Sequence, residues 1–236
     1  MTGDEELRSL VRDVRRWADH LRNRGVTGVL PWSDVPEPQS DIHVASVRPT
    51  LQATRELLGD CRRCSLCSGR NQIVYGEGSE TADLFVIGEG PGEQEDLRGV
   101  PFVGPAGEML EKMLANVVGV PRSAVYIANV VKCRPPQNRN PSPSEVESCL
   151  PFLRAQIAAV QPKVVLVLGT VALKALWGAE LGIMKARGKW LDMDGIPAMP
   201  TFHPAYLLRT PADKRLTMAD LLLLKERYDA LGGWRP

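Results

Sequence analysis

The chain is poor in aromatic residues, with Phe, Trp and Tyr together making 6% of its 236 residues, and it holds three histidines. There is no apolar run of the length needed to cross a bilayer, so no membrane association is expected. An apolar leader is lacking too: "MTGDEELRSLVRD" is charged from its fourth residue, which argues against a signal peptide and for a cytoplasmic protein. Neither sign of charge is in excess. Lys and Arg number 29 against 28 Asp and Glu, a net charge of +1, so a nucleic-acid role would need a local basic surface. Disulfides are rare in the cytoplasm, and the five cysteines need another explanation.

Hydrophobic residues make up 44% of the chain, enough for a full core. Residues 4–24 read as an amphipathic helix, with Leu7, Leu10, Val11, Val14, Trp17 and Leu21 at helical spacing and a solvated, arginine-rich opposite face. The proline-dotted stretch 27–48 reads as a linker, and a helix is expected from Thr50 to about Gly59. The division expected is a helical N-terminal extension with linker over 1–50 and the main domain over 51–236. In that domain, strands are expected at 84–88, 125–131, 163–168 and 197–202, and helices at 105–118, 143–160, 170–177 and 212–230. "KVVLVLG" (Lys163 to Gly169) is apolar throughout, as in a strand covered on both faces. "SPSE", from Ser142, carries a cap, a first-turn proline and a capping-box glutamate, and "TPAD", from Thr210, repeats the arrangement with Asp213 in the glutamate place. The fold class is α/β: a three-layer α/β/α sandwich around a mainly parallel four-stranded sheet. Sites in such sheets lie at the C-terminal strand ends, where Glu89, Asn129 and His203 stand.

The run "GEGPGEQEDLRGVPFVGPAG" follows the first strand and leads into a helix, a place where α/β proteins often bind phosphate. The dinucleotide pattern fails, because the third glycine position is Glu93, and no P-loop Lys-Ser/Thr follows. Glu89, Glu93, Glu95 and Asp96 would repel a phosphate. The glycines instead allow main chain to approach another kind of ligand. The cysteines fall into "CRRCSLC" (Cys61, Cys64, Cys67) and the separate Cys133 and Cys149. Four thiolates from two segments can hold tetrahedral zinc or an iron–sulfur cluster. The second pair lacks the C-x-x-C spacing of a zinc ribbon, and one of the five reads as a free buried thiol. A metal centre would staple the proline- and arginine-rich loop between Cys133 and Cys149.

Taken together, "CRRCSLC", "GEGPGEQED", "PFVGPAG", "NVVKCRPPQNRNP" and "TFHPAYLLR", in this order and spacing, resemble the family 4 uracil-DNA glycosylases, the iron–sulfur branch of that superfamily. The similarity spans about residues 55 to 232. It implies a 4Fe–4S cluster on Cys61, Cys64, Cys133 and Cys149, with Cys67 the spare. It also implies hydrolysis of the N-glycosidic bond of uracil in DNA, as base-excision repair by a monomer, with free uracil and an abasic site as products.

The family chemistry assigns roles by position. Main chain at Gly88, Gly90, Pro91 and Gly92 would close around a base drawn out of the stack. Phe102 would stack on that base, worth roughly 1–3 kcal/mol. Asn129 would accept from uracil N3–H and donate to O4, a pattern cytosine reverses. Glu95 would stand against the C5 position and refuse thymine. His203 would donate to uracil O2 and stabilise the departing anion, and Glu89 would orient or activate the attacking water. Leu207 and Leu208 would fill the vacated stack, with Arg209 on phosphate. Lys132, Arg134 and Arg139 would add phosphate contacts. Two other readings are a relative that traps or merely binds uracil-DNA and an electron carrier. The segment Leu97-Arg98-Gly99 offers no histidine for covalent trapping, and an electron carrier has no use for the Asn–Phe–His set.

Overall fold

Apolar runs bounded by glycine, proline and polar turns set the strands. In the computed structural model, which describes residues 49–234, six strands form one sheet: β1 (Glu77–Gly78), β2 (Leu84–Gly88), β3 (Tyr126–Asn129), β4 (Val164–Leu168), β5 (Leu191–Met193) and β6 (Ile196–Thr201). Their order is β1-β3-β2-β4-β6-β5. The four expected strands are the parallel centre of this sheet, β3-β2-β4-β6. The two edge strands, both antiparallel, went unpredicted because they are too short to show a period. β5 joins β6 through Asp194 (φ 53°) and Gly195 (φ 87°), a left-handed pair suited to a tight hairpin. The expected helix over 4–24 and linker over 27–48 lie outside the described residues, as do His20 and His43. Residues 49–234 all belong to one compact unit, Arg48–Pro236.

The helices are α1 (Leu51–Leu58), α2 (Glu93–Arg98), α3 (Pro105–Met113), α4 (Pro143–Val160), α5 (Gly169–Trp177), α6 (Ile183–Ala186), α7 (Pro204–Arg209) and α8 (Lys214–Ala230). Alternate residues of the central strands feed two separate cores. Phe85, Ile87, Val165 and Val167 pack with Leu58, Phe152, Leu153 and Leu173 of α1, α4 and α5. Leu84, Val86, Leu166 and Leu168 pack with Leu110, Leu207, Leu221 and Leu224 of α3, α7 and α8. The three-layer sandwich is thus built on central strands of which β2, β3 and β4 are buried along their whole length.

The "SPSE" box forms as expected: Ser142 Oγ accepts from Glu145 N at 3.4 Å, and the Glu145 carboxylate accepts from Ser142 N at 2.7 Å. The "TPAD" box does not. Pro211–Asp213 makes a 3₁₀ turn, α8 starts at Lys214 with no side-chain cap, and the Asp213 carboxylate accepts from Tyr206 Oη at 2.6 Å instead. Among the described residues no helix is long and apolar enough to cross a membrane.

Candidate active site and cysteine centre

Parallel register sets Gly88 beside Asn129 and Leu168 beside Thr201, so the C-terminal strand ends open together. A cavity of about 370 Å³ lies there. It is lined by Glu89, Gly90, Pro91, Gly92, Glu95, Phe102, Asn129, His203 and Arg209, nearly the whole set expected from the sequence. Gly88 lies beneath it: a Cβ there would come within 2.3 Å of Asn129 Oδ1 and 2.7 Å of the Phe102 ring. Only glycine lets these two side chains meet over the end of β2. A larger groove, about 590 Å³, runs by Arg154, Trp177 and Asp192 and holds none of these residues.

Asn129 is 2% exposed, and its Oδ1 accepts no hydrogen bond from the described residues. Such an atom costs about 1–3 kcal/mol unless a ligand donor reaches it. Its backbone carbonyl is held by Lys132 Nζ at 2.8 Å.

Phe102 is buried in the left-handed region, φ 53°, where a bulky side chain is strained. Its ring stacks on His203, centroids 5.6 Å apart and planes 30° apart. His203 caps α7, and its Nδ1 accepts from Ala205 N at 3.2 Å. In the neutral ring the proton is therefore on Nε2, leaving that nitrogen as a donor. Although part of its surface is accessible, the ring is enclosed by protein atoms. Burial first, then the Arg209 charge, push its pKa down to about 4. Glu89 is half-buried, and loss of water raises its carboxyl above the ordinary range.

Two expected roles change, those of Leu207 and Lys132. Glu95 lines the cavity, but its carboxylate accepts from Gly92 N at 3.1 Å, Val103 N at 2.8 Å and Gly104 N at 2.9 Å. These bonds tie the glycine turn to the Phe102 loop and hold the carboxyl in place at the cavity wall. Leu207, expected as a wedge, is 1% exposed in the core, because α7 turns it inward while Leu208 faces out at 42%. Lys132, expected on phosphate, is fully buried. Of its neighbours, Arg139 lines the cavity, with both guanidinium arms on Glu145 at 2.7 and 2.8 Å. Arg134 bonds Asn138 Oδ1 at 2.8 Å. Sequence reasoning missed Tyr206, Asn138 and Asn140, which also line the cavity. Tyr206 was findable as an aromatic one helical turn after His203.

The five cysteines lie near one another. Cys133 and Cys149 are buried, Cys61, Cys64 and Cys67 half-buried, and all five are free thiols. Cys64 and Cys149 lie near enough to Cys133 for their charges to disfavour its ionisation, and Cys61 and Cys64 act likewise on Cys149. Burial is the largest cause and pushes the Cys133 thiol up to about 11. Arg63 Nη1 points at Cys61 Sγ, 3.3 Å away, and Arg70 Nη1 at Cys133 Sγ, 3.4 Å away. No group of three or more His, Cys, Asp or Glu among the described residues is arranged to hold a single metal ion. Beside Cys149 lies the Lys132 ammonium, bonded to Asn129 O and to Gln156 Oε1 at 2.6 Å, with no carboxylate partner among the described residues.

The fold is an α/β/α sandwich with a cavity at its C-terminal strand ends, lined by Phe102, Asn129 and His203 among others. The model of the uracil DNA glycosylase superfamily matches residues 75–224. The type-4 uracil-DNA glycosylase of Thermotoga maritima is 42% identical over 72% of this chain and 91% of its own length. Those of Sulfurisphaera tokodaii and Saccharolobus solfataricus are 38% and 37% identical, over 75% and 70% of this chain and 84% and 81% of theirs. The chain belongs to the uracil-DNA glycosylase superfamily, in its type-4 branch.

Proposed function

We propose that the protein excises uracil from DNA by hydrolysing its N-glycosidic bond, releasing free uracil and leaving an abasic site. The observation that carries this reading is the buried, unpartnered Asn129 Oδ1 facing the Phe102 ring. Uracil N3–H satisfies that acceptor, and the Asn129 amide N–H donates to O4. Phe102 stacks on the base, and main chain at Gly88, Gly90, Pro91 and Gly92 surrounds it. As the bond breaks, negative charge grows on O2. The Nε2–H of neutral His203 donates to it, in an enclosed site where such a bond is strong. Glu89 accepts a hydrogen bond from the attacking water and orients it toward C1′. Leu208 fills the space the base leaves in the duplex, and Arg209 and Arg139 meet phosphate. We assign the enzyme to the cytoplasm and expect a monomer.

The donor set fits a 4Fe–4S cluster held by Cys61, Cys64, Cys133 and Cys149. A buried ammonium without a carboxylate beside these thiols supports an anionic group there, which neutral thiols alone would not supply. Cys61 and Cys64 after α1, Cys133 after β3 and Cys149 on α4 would hold the group through their thiolates, which would staple these three segments together. Cys67 stays outside this set. Free uracil measured after incubation with a single-uracil oligonucleotide tests the proposed activity. Release from that strand and none from its thymine counterpart is expected, and no release from either would reject it.

A further inference from the structure

The Phe102 floor stands in a backbone conformation that its own side chain disfavours, φ 53°, so something else must hold it there. Two oppositely charged side chains grip successive peptide groups of the loop. Arg122, in the 3₁₀ turn before β3, donates from Nη2 to Pro101 O at 2.5 Å and from Nη1 to Phe102 O at 3.0 Å. The Glu95 carboxylate takes the next two amides, Val103 N and Gly104 N. Cation on the carbonyls and anion on the amides match the local peptide dipoles. The guanidinium is itself anchored, 3.1 Å from Glu77 and 3.8 Å from Glu111. Gly107 completes the grip: a Cβ there would overlap Phe102 O at 2.0 Å.

Arg122 does not line the cavity. We propose that Arg122 is a positioning residue for base recognition, holding Phe102 in its left-handed conformation so that the stacking floor is formed before a base arrives. The role rests on the uracil-excision reading and deepens it. Without Arg122 the loop relaxes toward ordinary φ, the ring leaves its place over Asn129, and each binding event must restore it. The loss therefore falls on steps that need Phe102 and not on DNA contacts elsewhere.

A double-mutant cycle separates this role from simple stabilisation. Single-turnover uracil release is measured for the wild type, Arg122→Ala, Phe102→Ala and the double variant, with free-uracil inhibition and thermal melting alongside. Arg122→Ala should slow release roughly tenfold and weaken free-uracil inhibition to a similar degree. In the Phe102→Ala background the same change should cost less than about twofold. Arg122→Lys, which keeps the charge near Glu77 but lacks the two-pronged fork, should recover part of the loss and completes the cycle if the alanine variant melts below assay temperature. Equal penalties in both backgrounds, or unaltered uracil inhibition, would overturn the positioning role while leaving uracil excision standing. A wild type that releases no uracil would sink both.

Discussion

Asn129, Phe102, His203 and Glu89 each carry a physical signature that a merely structural residue would not need. Asn129 buries an acceptor without a donor, Phe102 occupies a strained backbone region, and His203 and Glu89 are held in their neutral-favouring surroundings. Their candidacy was legible in the sequence because Glu89, Asn129 and His203 stand at strand ends and Phe102 in a glycine-bounded loop, and the family resemblance suggested the role of each. Their partners were not, since Arg122 meets the Phe102 loop only in three dimensions. Replacing Asn129 with Asp removes the donor to O4 and places a charge against it. At about 1–3 kcal/mol, single-turnover excision should fall roughly ten- to a hundredfold, and an unchanged rate would remove Asn129 from the recognition step. The pH dependence follows from the two shifted groups. His203, with its pKa near 4, is neutral throughout the physiological range, so no inflection should appear at the ordinary imidazole value. Glu89, raised by burial, must lose its proton to accept from water, so activity should fall with decreasing pH at a value above that of a free carboxyl. A pH–rate profile of Glu89→Gln should lack this acid limb; if the limb persists, another group is the base.

Among the elements, the long ones with a clear period were readable. Helix α4 was expected over 143–160 and spans Pro143–Val160, with its capping box in place. Short elements were missed: α2, α6 and α7 carry too few residues for a helical period to emerge. The cost appears in α7. Without this helix in view, Leu207 and Leu208 were both expected to face DNA, whereas one turn of helix sends Leu207 into the core and leaves Leu208 outside. The two should therefore behave differently. Leu207→Ala should lower stability by about 2–5 kcal/mol, seen in denaturant melts. Leu208→Ala should leave melting unchanged and slow excision from duplex more than from single strands, because only duplex leaves a gap to fill. Equal effects of Leu208→Ala on both substrates would deny it the wedge role.

Across the described residues, a short stretch of chain joins the strand-end cavity to the cysteines. β3 ends at Asn129, and within the next four residues come the buried Lys132 and Cys133. Glu145 on α4 extends the link, taking Arg139 at the cavity and Ser65 in the first cysteine segment at 2.7 Å. The sequence pointed to the candidate site residues and to the cysteines but not to this connection, which depends on α4 packing beside the sheet. Cys133→Ala and Cys149→Ala should lose bound iron and destabilise the loop between them, whereas Cys67→Ala should keep full iron content by metal analysis. Loss of iron in Cys67→Ala with retention in Cys61→Ala would reverse the ligand register. The central claim is turnover by hydrolysis. Excess uracil-containing DNA is incubated with the protein, free uracil is counted, and the DNA is run on a denaturing gel. The site geometry, with Glu89 beside the base cavity, predicts many uracils released per enzyme and no protein-bound DNA. A denaturation-resistant protein–DNA band with no more than one uracil per enzyme would contradict it.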